Sequence, residues 1–134
     1  MLTLYYSPGA CSMASHIGIE ETGAAYVEKP TLLAKGEQKT EAYLKINPRG
    51  KVPALSVDGR IITENTAILS YLARQFPQAN LLPADLVGEA HCIGAMAWFS
   101  NIVHPSYQRY MRPERFAEGE AAQVQGLPVR GILL

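Results

Sequence analysis

The chain has 134 residues, 48% of them hydrophobic and 18% charged, with 12 basic and 12 acidic side chains and a formal net charge of zero. That composition excludes disorder and fibre, and the balanced charge lacks the clustered basic field that a nucleic-acid backbone or an anionic membrane requires. No apolar stretch approaches the ~20 residues of a membrane helix, so small molecules or protein surfaces are the expected partners.

Residues 1–6 read as a strand rather than a secretion signal, which places the protein in the cytoplasm. Leu2-Thr3-Leu4-Tyr5-Tyr6 has strand composition, and Ser7-Pro8-Gly9 ends it. The pattern then turns helical over residues 10–23. Cys11, Ala14, Ile17 and Gly18 fall at helical spacing, Glu20-Glu21 face solvent and Gly23 takes the C-cap position. This helix starts at Cys11 or Ser12. Residues 25–29 read as a second strand stopped by Pro30, and a polar stretch carrying Lys35 leads into a short helix over 40–46. Asn47-Pro48-Arg49-Gly50 ends that helix. Residues 52–57 form a strand opened by Pro53, Asp58-Gly59 is a two-residue hairpin turn, and residues 60–63 return.

The clearest helix spans 64–76, with Ile68, Leu69, Tyr71, Leu72 and Phe76 on one stripe and Pro77 closing it. Residues 79–85 make a linker. A long Ala-rich helix then runs from 86 to about 111, interrupted or kinked near Pro105, and the Gly- and Pro-punctuated last twenty-odd residues suggest no stable element. The order β-α-β-α-β-β-α indicates an α+β unit able to bury its own core.

Three places could carry chemistry. Cys11 and Ser12 stand at the first turn of a helix that follows a strand, where unpaired N–H groups favour an anion and commonly lower a thiol pKa to about 3.5–7.5. A small buried thiol beside a serine cap is the plainer alternative. Val52-Pro53 suits a cis bond that turns the Val52 main chain outward for an extended peptide, although an isolated X-Pro bond is usually trans. Thr63-Glu64-Asn65-Thr66 offers a carboxylate, an amide and free N–H groups at a helix start, a pattern that capping alone also explains. Lys35 and His104 are further charged or polar candidates, and Trp98, Tyr107 and Tyr110 read as core or interface aromatics. The two cysteines, Cys11 and Cys92, form neither a disulfide framework nor a metal cluster.

In this order, the blocks Tyr5-Tyr6-Ser7-Pro8-Gly9-Ala10-Cys11-Ser12, Ile46-Asn47-Pro48-Arg49-Gly50-Lys51-Val52-Pro53-Ala54-Leu55 and Thr63-Glu64-Asn65-Thr66-Ala67-Ile68 resemble the glutathione transferase family, most closely its bacterial beta class. The resemblance implies a thioredoxin-like domain over 1–78, a linker over 79–85 and the first part of an all-helical domain over 86–134, cut short relative to the family. It implies glutathione as co-substrate with no metal or other cofactor, a hydrophobic electrophile as second substrate, and a homodimer. Cys11, Ser12 and Tyr6 match the residues around the glutathione sulfur. Val52 matches the residue whose main chain pairs with the cysteinyl part, which makes Pro53 cis. Glu64 and Asn65 match the pair at the γ-glutamyl end, Lys35 matches a lysine reaching the glycine carboxylate, and His104 resembles a histidine near the bound thiol. The implied activity is thiolate attack on electrophilic small molecules. Its alternatives are a monothiol glutathione-dependent disulfide reductase through Cys11, and a glutathione-binding module without turnover.

Overall fold

The computed structural model describes residues 1–113 and residue 116. The expectation for the last twenty-odd residues therefore falls almost wholly outside the described residues. Two compact units are present, Met1–Ile93 and Gly94–Leu134.

The first unit is built on a four-stranded mixed sheet in the order β2-β1-β3-β4, with β1 Leu2–Tyr6, β2 Tyr26–Pro30, β3 Ala54–Val57 and β4 Arg60–Thr63. β1 runs parallel to β2 and antiparallel to β3, and β3 runs antiparallel to β4. A parallel β1/β2 pair needs a crossover, and helix α1 (Met13–Glu21) supplies it. Register sets the core: Leu4 faces Leu55, which faces Ile62, and Leu2 lies between Tyr26 and Val57. Leu2, Leu4, Ile19, Leu55, Ile68 and Leu72 form one buried cluster, with Tyr71, Phe76 and Leu81 packed against it. Asp58 and Gly59 both take positive φ, as a tight hairpin turn with φ > 0 at both central residues requires. Pro30 does not stop β2 but ends it, paired with Tyr6. A proline is tolerated there because β2 lies at the sheet edge.

Between β2 and β3 the chain makes two 3₁₀ turns, Leu33–Lys35 and Glu37–Lys39, and helix α2 (Glu41–Leu44). The Tyr43 N–H donates to Thr40 Oγ1 at 3.3 Å, so Thr40 caps α2. Helix α3 (Asn65–Gln75) buries Ile68 and Leu72, as its apolar stripe predicts.

The buried face of α1 is not the predicted one. Cys11, Ala14 and Ile17 are exposed, whereas Ser12, Ser15, Gly18, Ile19 and Thr22 are buried. The reason is close packing on α3: a Cβ at Gly18 would collide with the Leu69 side chain, so small residues line this contact. Each buried hydroxyl has a partner. Ser12 bonds to Ser7, Ser15 to Asn65, and Thr22 Oγ1 to the Ile19 carbonyl at 2.6 Å, so their burial leaves no donor orphaned.

The long helix is three segments: α4 (Leu86–Trp98), a π-helical turn over Phe99–Val103, and α5 (His104–Met111). The interruption precedes Pro105, whose ring would clash with the carbonyl four residues back in a regular helix; the wider turn relieves that clash. Trp98 and Phe99 are exposed and meet edge to face at 5.0 Å between ring centroids. No helix among the described residues is long and apolar enough to cross a membrane.

Candidate functional site

The turn between β1 and α1 is organised by Ser12. Its Oγ accepts from the Ser7 N–H at 3.0 Å and donates to the Ser7 carbonyl at 3.1 Å, and the residue is fully buried. The hydroxyl makes no capping bond to α1, and its one proton is committed to the Ser7 carbonyl. The pinned turn leaves Cys11 exposed.

Cys11 Sγ faces the N–H groups of Cys11 and Ser12 and donates to the Val52 carbonyl at 3.6 Å. The Val52–Pro53 peptide is cis. Val52 is held from behind. The Tyr43 hydroxyl and Asn47 Nδ2 both donate to the Lys51 carbonyl at 2.7 Å, and Asn47 Oδ1 accepts from the Arg49 N–H at 3.1 Å. Asn47-Pro48-Arg49-Gly50 is thus more than a helix stop, because Asn47 anchors the segment that carries Val52 into β3.

The expected low thiol pKa is not found. Partial desolvation pushes the Cys11 thiol up. The N–H groups of Cys11 and Ser12 each pull it down by less, Glu64 adds to the rise and Lys51 opposes it. The bond to Val52 also favours the protonated sulfur.

Glu64 precedes α3 with φ 73° and ψ 130°, a sparsely populated backbone region for a residue with a side chain. No side chain caps α3, so its first-turn N–H groups and positive dipole end remain available to an anion. The Glu64 carboxylate accepts from Arg49 Nη1 at 3.1 Å at the surface. Asn65 turns the other way. Its Nδ2 donates to the Cys11 carbonyl at 3.0 Å, and its Oδ1 accepts from Ser15 Oγ at 2.6 Å. Cys11, Val52 and the Glu64-Asn65 pair, from three separate segments of the chain, therefore converge on one end of the sheet.

Tyr6 belongs to a neighbouring group. Its hydroxyl donates to Glu28 Oε2 at 2.8 Å, which raises its pKa, and its ring lies 4.3 Å from that of His16. Tyr6 thus donates across to Glu28 of β2. His16 Nε2 is 2.9 Å from the Tyr26 hydroxyl, which in turn donates to Glu20. His16, Glu20 and Glu28 hold one potential metal-ligand atom each, all within 4.8 Å of one another, with the Tyr26 hydroxyl between His16 and Glu20 and the Tyr6 hydroxyl on Glu28. Lys35 is exposed in its 3₁₀ turn, and His104 is exposed at the start of α5 in the second unit.

Sequence reasoning missed Ser15 and Tyr43, and gave no role of their own to Ser7, Asn47 and Lys51, which it quoted only within motifs. The one available signal was the excess of hydroxyls on α1, which is hard to explain on a buried face unless each has a specific partner.

Residues 1–74 match the family model described as glutathione S-transferase, N-terminal domain. The chain is 34% identical over 116 residues to glutathione S-transferase GstA of Escherichia coli O157:H7, covering 84% of this chain and 58% of that protein. Among solved structures, a glutathione transferase homologue from Sulfitobacter with bound glutathione is similar at 37% identity and a TM-score of 0.87, covering 94% of this chain and 62% of that one. The bacterial beta-class glutathione S-transferase of Sphingomonas chungbukensis is similar at 37% identity and a TM-score of 0.75, covering 92% of this chain and 62% of that one. In each case the chain spans about three fifths of its relative's length.

Proposed function

The chain belongs to the glutathione S-transferase family, and from that premise we propose that it binds glutathione at the Cys11 turn and the Val52 edge and uses the tripeptide's thiolate against electrophilic small molecules. The observation that carries this reading is the meeting of the Cys11 turn with the Val52 carbonyl, 3.6 Å from Sγ. An extended peptide laid along Val52 as an added strand brings its own sulfur to the N–H groups of Cys11 and Ser12.

The Glu64 carboxylate suits the γ-glutamyl amine, and the uncapped start of α3 suits the carboxylate beside it. Lys35 is assigned to the glycine carboxylate. Because the Cys11 thiol is pushed up, it is protonated near neutrality and is not the standing nucleophile. The glutathione sulfur takes that role. It releases its proton to solvent, forms a carbon–sulfur bond to the electrophile, and the leaving group departs with the electrons of the bond that breaks.

Ser12 then acts through its main-chain N–H, with its hydroxyl holding the turn. The glutathione subsite lies within residues 1–78, and the electrophile falls to residues beyond the linker. A homodimer is part of this proposal.

A glutathione-dependent disulfide reductase is the second reading, favoured by the exposure of Cys11. Titration calorimetry with glutathione, run beside an aryl-halide conjugation assay and a disulfide-reduction assay on Cys11→Ala, separates them. Retained conjugation with lost disulfide reduction supports the transferase reading, and loss of both overturns the division of roles. Absence of binding at millimolar glutathione overturns both readings.

A further inference from the structure

We propose that Asn65 is a positioning residue for the Cys11 turn: with Ser15 it forms a clamp that orients the Cys11–Ser12 peptide so that its N–H faces the sulfur. The argument starts from hydrogen-bonding capacity. The Cys11 carbonyl can only accept, so the end of the Asn65 amide facing it at 3.0 Å is the NH₂ group. The oxygen end therefore faces Ser15 Oγ, at 2.6 Å, and the Ser15 hydroxyl must donate. Ser15 is fully buried, and this bond fixes which way round the amide sits.

The Cys11 carbonyl and the Ser12 N–H belong to one planar trans peptide and point in opposite directions. Holding the oxygen from α3 therefore aims the N–H. Donation to the oxygen also polarises the peptide and strengthens its N–H as a donor. The Cys11 carbonyl takes a second, longer bond from the Ala14 N–H at 3.3 Å, so the helix alone holds this peptide less firmly than the clamp does.

With both ends of its amide engaged inside the protein, Asn65 contributes to the site through the Cys11 turn rather than by gripping a ligand with its side chain. The charged groups acting on the same sulfur are Glu64, at the start of α3, and Lys51, preceding β3. Neither is part of the clamp.

The test contains no glutathione, so its result is independent of whether glutathione binds. In a Cys92→Ser background, Cys11 is the sole thiol, and its alkylation by iodoacetamide is followed across pH. Asn65→Ala and Ser15→Ala should each move the midpoint upward, by about half a unit or more for Asn65→Ala, because a donor to the thiolate is loosened. The double variant should shift no further than the larger single one, since both residues serve one clamp. Asn65→Asp, nearly isosteric, sets an oxygen against the Cys11 carbonyl and should raise the midpoint most. If Asn65→Ala does not fold, Ser15→Ala and Asn65→Asp carry the comparison. Variants that melt cooperatively with the parent's midpoint, or single shifts that add in full, overturn the proposal.

Discussion

Replacing Ser12 by alanine separates a turn-holding hydroxyl from a catalytic one. The hydroxyl satisfies the Ser7 N–H and one lone pair of the Ser7 carbonyl, and both residues are buried. The carbonyl keeps a second partner, the Ala10 N–H at 3.2 Å, so its loss is one net hydrogen bond of about 0.5–1.5 kcal/mol. The Ser7 N–H loses its side-chain partner while remaining buried, at about 1–3 kcal/mol. Together these give a destabilisation of about 1.5–4.5 kcal/mol. At about 4–8 °C per kcal/mol for a domain of this size, that is a fall in melting temperature of roughly 6–36 °C. Urea unfolding followed by far-ultraviolet circular dichroism reads it directly. A loss below about 0.5 kcal/mol, the range of an ordinary surface change, would refute the account of the turn and return the hydroxyl to the role of a donor to a bound thiolate.

Gly18→Ala sets a helix-propensity gain of about 1 kcal/mol against overpacking of about 1–3 kcal/mol at the α1–α3 contact. A net loss on the order of 1 kcal/mol is expected in the same unfolding assay, and a gain would show that Leu69 yields freely. Tyr43 titrates at about 12 in the fold against 10.0 ordinarily, chiefly because burial disfavours the phenolate. Its contribution to stability is fully present below pH 10 and lost as pH rises through 12. Melting temperatures should fall over that window, and Tyr43→Phe should flatten the fall while costing about 0.5–1.5 kcal/mol at neutral pH. Cys11 should alkylate with a midpoint above that of an ordinary thiol; Glu64→Gln should lower the midpoint and Lys51→Met raise it, because Glu64 disfavours the thiolate and Lys51 favours it. Opposite signs in that pair would show that neither charge acts on the sulfur.

Elements whose signal is local are legible in the sequence. Leu2–Tyr6, the Asp58-Gly59 hairpin and the Ile68/Leu72 stripe of α3 follow from composition, turn chemistry and period. Pro105 marks the break in the long helix, although a proline alone does not announce a π-helical turn upstream of it. What was not legible depends on partners distant in sequence. Apolar periodicity put Ile17 on the inner face of α1 because hydroxyls count as polar. They are buried there because Ser7 and Asn65 receive two of them and the Ile19 carbonyl the third. The bonds of Asn65 to the Cys11 carbonyl and to Ser15 cannot be read from its capping motif, because both partners lie some fifty residues away. The Cys11 thiol was expected low because a helix start attracts anions, and desolvation reverses the sign. The approach of Cys11 to Val52 became legible only through the ordered set of motifs, since neither residue alone implies the other.

The most direct measurement of the central claim is amide chemical-shift mapping of the labelled chain during titration with reduced glutathione at neutral pH. The account predicts saturable shifts at Cys11, Ser12, Val52, Glu64 and Asn65, with the Tyr26–Pro30 strand left near its starting positions. No shift at 10-millimolar glutathione, about the weakest binding the assay would resolve, or shifts confined to residues away from the Cys11 turn and the Val52 edge, would contradict it.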